Sequence, residues 1–205
     1  MSRGRQARED ILDAAEQMIA EHGVRVPLRD IAVAAGQRNN SAVNYHFKNR
    51  QELIDAVVRR RLEPMEEQRR LMLAASGHPN VENSLRIMVL PLIAVDSAHY
   101  ARFLQAAALH LRTDLDQMQG SVWPQVIDDL ARAVPTADRR ARRRRVSAVA
   151  TAMFALLADR ERQARVDSAA AATPDEIIAM LGAMLTAPIP HPANSAQVGT
   201  LSAGV

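Results

Sequence analysis

The sequence predicts an all-α protein, and three observations carry that reading. Apolar residues recur at three- and four-residue spacing along most of the 205-residue chain, and no run shows the two-residue alternation of a strand. The composition is rich in Ala, Leu, Arg, Glu and Gln, with 8 Gly and 3% aromatic residues, which favours helix throughout. Capping residues, Pro and Gly then punctuate the chain into a small first unit (1–61), a larger helical second unit (62–187) and a Pro-, Ser-, Ala- and Gly-rich tail (188–205) read as disordered.

In the first unit, a helix is expected over about 6–21, burying Ile11, Leu12, Ala15, Met18 and Ile19 and ending at Gly23, with residues 1–5 as a flexible basic arm. Residues 24–48, VRVPLRDIAVAAGQRNNSAVNYHFK, read as a two-helix hairpin. Leu28, Ile31, Ala32 and Ala35 share one face, Pro27 suits the first turn because its missing N–H has no partner to lose, and Gly36 ends the helix. A second, short helix is expected from about Asn40 to His46, with Asn39 as its cap and only Val43 and Phe47 buried.

At about 100° per residue, Ser41 and Tyr45 fall opposite Val43 on that short helix, and Ala42 and Asn44 flank them. The outer face is thus polar or small, unlike that of a core helix. A helix in the major groove uses amides for base edges, hydroxyls and cations for phosphates, and small residues for close approach. Gln37, Arg38, Asn39, Asn40, Ser41, Ala42, Asn44, Tyr45, His46 and Lys48 supply this inventory. The alternative is a capped surface helix. The next helix is expected to open with a capping box at Asn49–Glu52, to bury Leu53, Ile54, Val57 and Val58, to turn Arg59–Arg61 to solvent, DNA phosphate being the alternative, and to break or kink at Pro64.

Charge points to the same end of the chain. The net charge is +3, and residues 1–61 hold all of that excess, because the acids and bases of residues 62–205 balance. A basic surface attracts phosphate.

The first 60 or so residues resemble the DNA-binding domain of the tetracycline-repressor-like (TetR) family of bacterial transcription regulators. The resemblance is carried by Arg8, Ile11, Leu12, Ala14, Ala15, Gly23, Leu28, Arg29, Asp30, Ile31, Ala32, Ala35, Gly36, His46, Phe47, Leu53 and Ile54. It implies a three-helix helix-turn-helix domain followed by a larger helical ligand-binding and dimerisation domain, in a homodimeric repressor released from DNA by a small molecule. The turn Gln37–Asn39 is one residue longer than the common family pattern, Val26 and Pro27 stand where a Thr pair is usual, and the family's phosphate-binding Tyr falls on Asn44, beside Tyr45.

In the second unit, helices are expected over about 80–94 with a kink at Pro91, over 97–111, and over 115–133 with a kink at Pro124. Interrupted helices leave voids. By resemblance this region encloses a small-molecule pocket, for which Met88, Leu92, His99, Phe103, His110 and Trp123 are the candidate lining, an ordinary bundle core being the alternative. Over 137–162, Val146, Val149, Ala150, Met153, Phe154 and Leu157 form a wide stripe. A capping box at Thr173–Glu176 then opens a last helix with Ile177, Ile178, Leu181, Met184 and Leu185. The resemblance implies that this pair packs on its two-fold mate, so Val146, Val149, Ala150, Met153, Phe154, Leu157, Ile177, Leu181 and Met184 are the candidate dimer interface, with packing inside one chain as the alternative. The run Arg139–Arg145, broken only by Ala141, is read as a solvated helix start paired with Asp128, Asp129 and Asp138, rather than a second nucleic-acid surface or a nuclear signal.

Several classes are excluded. Without Cys there is no disulfide framework, thiol chemistry or Cys-based zinc site. The six His show no HxxxH or ExxH spacing, and GxSxG, P-loop and GxGxxG motifs do not occur, so no catalytic residues, cofactor or metal are expected. No 18-residue apolar run or leader-like segment is seen, so the expectation is a cytoplasmic chain with no membrane partner. The reading is a dimeric regulator, most simply a repressor on a palindromic double-stranded operator with a small hydrophobic effector. A constitutive dimeric DNA-binding protein and a helical-bundle enzyme are the alternatives.

Overall fold

The computed structural model describes residues 3–37, 42–77, 80–111 and 121–189, and among them the chain is all-α. The helices are α1 (Arg3–His22), α2 (Leu28–Ala34), α3 (Ala42–His46), α4 (Arg50–Ala75), α5 (Val81–Ile93), α6 (Tyr100–Ala107) with a 3₁₀ turn (Ala108–His110), α7 (Trp123–Ala133), α8 (Arg139–Ala164) and α9 (Pro174–Thr186).

Most expected boundaries hold within two or three residues, and their chemistry is visible. Gly23 ends α1 at φ 80°, its N–H reaching the Ile19 carbonyl at 2.9 Å. Gly36 ends α2 at φ 66° in a Schellman motif, with Gly36 N–H on the Val33 carbonyl and Gln37 N–H on the Ala32 carbonyl, both at 2.9 Å. Asn49 and Asn80 each accept the N–H three residues on, capping α4 and α5, and Thr173 and Glu176 close a complete capping box on α9.

Four expectations are corrected. The basic arm is not free up to residue 5, because α1 already begins at Arg3. Pro64 does not end α4, which runs on to Ala75. Pro64 sits on the exposed side, where the carbonyl it leaves unpaired can take water, while Leu62 and Met65 beside it are buried and hold the helix to the core. Pro124 does not kink a helix. It lies in the first turn of α7, the place where a missing N–H costs least, and the expected start at 115 falls outside the described residues. At α4, Glu52 does not close the box, since its carboxylate takes the N–H of Lys48 at 2.9 Å instead of that of Asn49.

The apolar residues form two cores. One holds Ile11, Leu12, Ile19, Ile31, Val43, Phe47, Leu53 and Ile54, and also takes in Tyr100, Phe103, Leu104 and Ala107 of α6. The other gathers α5, α7, α8 and α9 around Leu85, Met88, Val126, Met153, Ile177 and Leu181. The two therefore do not part at residue 61: α4 crosses that point unbroken, and α6 returns from the second unit to complete the first core. Ile189, inside the expected tail, packs on the second core, and the rest of the tail lies outside the described residues.

Candidate nucleic-acid interface

The hairpin α2–α3 presents the face that its sequence pattern requires. Val43 and Phe47 are buried, anchoring α3 on the first core, with the Arg8 guanidinium 5.3 Å above the Phe47 ring. The opposite side is open: Tyr45 is 84% exposed, Asn44 and Lys48 are exposed, and Ala42 and His46 are half-buried. Val33 of α2 is 65% exposed on the same hairpin. Gln37 is half-buried and donates to the Ala35 carbonyl at 3.1 Å, which leaves its other amide N–H and its oxygen to serve a partner. Arg38, Asn39, Asn40 and Ser41 lie outside the described residues.

The anchoring of this hairpin includes a residue that sequence reasoning placed only as a helix start. Pro27 heads α2 without a side-chain cap. Arg50, in the first turn of α4, instead donates to the carbonyls of Val24 and Val26 at 2.7 and 2.6 Å, so the segment leading into α2 is fixed from the far side of the hairpin.

Arg60 and Arg61 are not the solvent-facing end expected of them. Both reach the buried Glu16 of α1, at 3.0 and 3.4 Å, and Arg60 also bonds Asp13 at 2.6 Å; only Arg59 is exposed. Burial works against the Arg60 charge, but Asp13 and Glu16 overcome it and raise its pKa. Ser97 also donates to Glu16, so this carboxylate joins α1, α4 and the turn before α6. The signal was an acid inside the apolar stripe of the first helix.

A second node lies further along α4. Glu66 and Arg69, both buried, pair at 2.7 Å. Glu66 also accepts from Ser121 Oγ at 3.0 Å and Val122 N–H at 3.1 Å, while Arg69 lies 5.3 Å over the Trp123 ring. Glu161 of α8 plays the same part at α6, accepting from Ala101 N–H and from Arg102 Nε, both at 2.8 Å.

The six candidate pocket residues are not gathered around one cavity among the described residues. Met88 is buried in the second core, Phe103 is buried in the first and stacked on Tyr100, and Leu92 touches both cores. Trp123 lies under Arg69, and His99 lines an acidic groove beside α1. His110 sits in the 3₁₀ turn, where its carbonyl accepts from Gln51 at 2.6 Å. A cavity of about 160 Å³ does lie between α5, α6 and α8, lined by Leu92, Tyr100 and Leu157 with Arg160 and Glu161 at its polar side. Burial, and then the charge of Glu16, push the Tyr100 hydroxyl well above its ordinary pKa.

Of the nine candidate interface residues, Val149, Met153, Leu157, Ile177 and Leu181 are buried inside one chain. Val146, Ala150 and Phe154 are half-buried, and Met184 is 40% exposed. The free face of α9 is instead the adjacent stripe, where Met180 is 42% exposed and Ala183 stands beside Met184. Nor is the Arg139–Arg145 run paired with Asp128, Asp129 or Asp138. Asp129 bonds Arg132 at 2.7 Å, Asp138 caps α8, and no ion pair joins an arginine of the run to a carboxylate among the described residues.

Among the described residues no helix is long and apolar enough to cross a membrane, and no group of His, Asp or Glu is placed to hold a metal. Residues 11–57 match the family model for bacterial regulatory proteins of the tetR family. No curated protein matches the chain. A crystal structure of a proposed transcriptional regulator from Rhodococcus sp. RHA1 aligns at 18% identity and a TM-score of 0.45, over 89% of this chain and 96% of that one. The matched span runs from the first helix through the hairpin to the buried start of α4, so this domain is similar to the DNA-binding domain of tetR-family regulators, and the chain is a DNA-binding, TetR-like transcriptional regulator.

Proposed function

We propose that the protein is a homodimeric, cytoplasmic repressor that binds a palindromic double-stranded operator and is released by a small hydrophobic molecule. The observation that supports it most is the α3 face, on which Asn44, Tyr45 and Lys48 stand in solvent above the buried pair Val43 and Phe47. Residues 1–61 carry DNA reading in this proposal, 62–187 carry effector binding and dimerisation, and α4 joins them as one rod. Gln37, Arg38, Asn39, Asn40, Ser41, Ala42 and His46 complete the reading surface.

A second copy covers the exposed Met180, Ala183 and Met184 of α9 and the exposed Ala148 and Thr151 of α8, the residues buried inside one chain serving as its floor. Two reading heads related by a two-fold axis meet major grooves about 34–36 Å apart, or a multiple of that, which is why the site is palindromic. The effector enters between α5, α6 and α8 rather than beside Met88 and Trp123. Opening that cavity pushes on the turn that Ser97 ties to Glu16, and hence on α1 and α4.

Sequencing duplexes retained from a random library tests the reading, and a palindrome is the expected product. On that site Lys48→Ala should weaken binding and flatten the dependence of log affinity on log salt by about one phosphate per half-site. An unchanged slope removes Lys48 from the interface. Met180→Asp with Met184→Asp should give monomers by light scattering, because an apolar interface does not accept unpaired charge. Dimers in that variant would place the interface on another face.

A further inference from the structure

The arginine run opens α8 in an arrangement that local electrostatics disfavours. Asp138 caps the helix, no acid follows in its first turn, and six arginines occupy 139–145 apart from Ala141. The amino end of a helix already carries a partial positive charge, and Arg139 with Arg143 and Arg140 with Arg144 are like charges four residues apart, each a further repulsion. Two of the six are satisfied by backbone: Arg142 Nε donates to the Thr136 carbonyl at 2.7 Å, and Arg145 reaches the carbonyls of Met184 and Ala187 at 2.7 and 2.8 Å at the end of α9. Among the described residues the guanidinium groups of Arg139, Arg140, Arg143 and Arg144 have no partner. Where a chain breaks a local rule in this way, the departure is expected at a functional site.

The place for an anion is a groove of about 600 Å³ between α7 and the start of α8. Arg132, Arg139, Arg142 and Arg143 line it, with Asp128 as the one acid and Ile127, Ala131 and Val146 as an apolar floor. Its volume is that of a small-molecule site. A guanidinium fork matches the paired oxygens of a phosphate or carboxylate, and the floor takes an uncharged body. The groove lies at the end of α8 away from its contact with α6. Arg143 and Glu161, which caps α6 beside the first core, are eighteen residues apart on one helix, or about 27 Å.

We propose that this groove binds a small organic polyanion, one or two phosphate or carboxylate groups carried on an apolar or aromatic body. It is a second ligand site, separate from the cavity between α5, α6 and α8 and from the operator surface.

The test is calorimetric titration of the full-length protein with ADP, inorganic pyrophosphate and citrate at matched ionic strength. ADP is expected to bind most tightly, because it alone has a ring for the apolar floor, and a preference for pyrophosphate or citrate over ADP would remove the floor from the site. Arg139→Gln with Arg143→Gln, both on the exposed helix surface, should weaken ADP about tenfold or more. Asp128→Asn should tighten it. Arg162→Gln with Arg165→Gln, which removes the same charge at the other end of α8, should leave it unchanged. The proposal is overturned if wild type binds none of the three probes more tightly than about 1 mM, or if the two double variants lose affinity equally. It is also overturned if Arg139→Gln with Arg143→Gln leaves ADP binding intact and instead weakens binding to unrelated duplex DNA, which would make the run a nucleic-acid surface.

Discussion

The ends of helices in the first unit are closed by residues next to them in sequence, whereas α6 and α7 are closed by carboxylates from other helices. Gly23, Gly36 and Asn49 each act within a few residues of the end they finish. Neither α6 nor α7 has a side-chain cap of its own. Glu161 reaches α6 from sixty residues away in sequence, and Glu66 reaches the start of α7 from fifty-six. Both regions satisfy the same orphan N–H groups. In the first the solution is mostly local, while at α6 and at Val122 ahead of α7 an acceptor comes from a distant helix, beside the local Ser121 Oγ that takes the Trp123 N–H at 3.2 Å; α5, α8 and α9 are capped locally. The helix ends of the first unit are therefore set largely by local chemistry, whereas α6 and α7 of the second also lean on carboxylates from α8 and α4.

The largest test of this contrast is Glu66→Ala. It removes the carboxylate partner of Arg69 inside the protein and the acceptor for Ser121 and Val122 at once, so a buried guanidinium keeps only the Ile87 carbonyl and the Trp123 ring and loses its counter-charge. The expected loss is about 3–5 kcal/mol by urea denaturation, against roughly 1 kcal/mol for the local cap in Asn49→Ala. Glu66→Gln, which keeps an acceptor for α7, should fall between. Equal losses for Glu66→Ala and Asn49→Ala would mean that the distant carboxylate does not hold α7.

The first unit has one non-local tie of its own, and its removal is the next effect in size. Arg50→Ala gives up two charge-assisted bonds to the carbonyls of Val24 and Val26, worth about 1.5–3 kcal/mol together once water replaces them. Amide exchange at Asp30 and Ile31, in the first turn of α2, should quicken. Glu66→Ala should not change exchange there. If Arg50→Ala leaves α2 exchange as it was, Pro27 alone is enough to set that helix start.

Legibility follows the same division. The helix ends, the hairpin, and the burial of Val43 and Phe47 under an open Tyr45 could all be read from sequence, because each depends on spacing within one turn or on a single φ that Gly alone takes easily. The nodes at Glu16 and Glu66 could not be read in the same way, since a window of sequence does not say which arginine a carboxylate will meet. A signal was present nonetheless. Glu16 lies in the stripe of Leu12, Ala15 and Ile19, and Glu66 and Arg69 continue that of Leu62 and Met65, and a charged residue at such a position asks for a buried partner. The dimer stripe shows the opposite limit of sequence. Val149, Met153, Ile177 and Leu181 are as apolar as an interface would be, and only the packing of α8 and α9 on α5 and α7 shows that they are already covered.

The smallest predicted effect lies on α9, which belongs to the second unit yet is capped as locally as anything in the first. Thr173 accepts the Glu176 N–H at 3.2 Å, and the Glu176 carboxylate accepts the Thr173 N–H at 2.7 Å and its hydroxyl at 2.9 Å. Those bonds from Thr173, backbone first and then side chain, hold the Glu176 pKa below the ordinary carboxylate value. A carboxylate depressed in the folded state adds stability that is present above its unfolded pKa and is lost as pH falls through its folded pKa. Thr173→Ala should cost about 1 kcal/mol at neutral pH. The difference from wild type should narrow on acidification through the range below the usual Glu pKa, and in a Glu176→Gln background it should be independent of pH over that range. Urea midpoints measured across the acid limb decide it. A Thr173→Ala difference that stays constant through that limb would show that the Thr173 hydroxyl does not act through the Glu176 carboxylate, whose lowered pKa would then rest on the Thr173 backbone N–H.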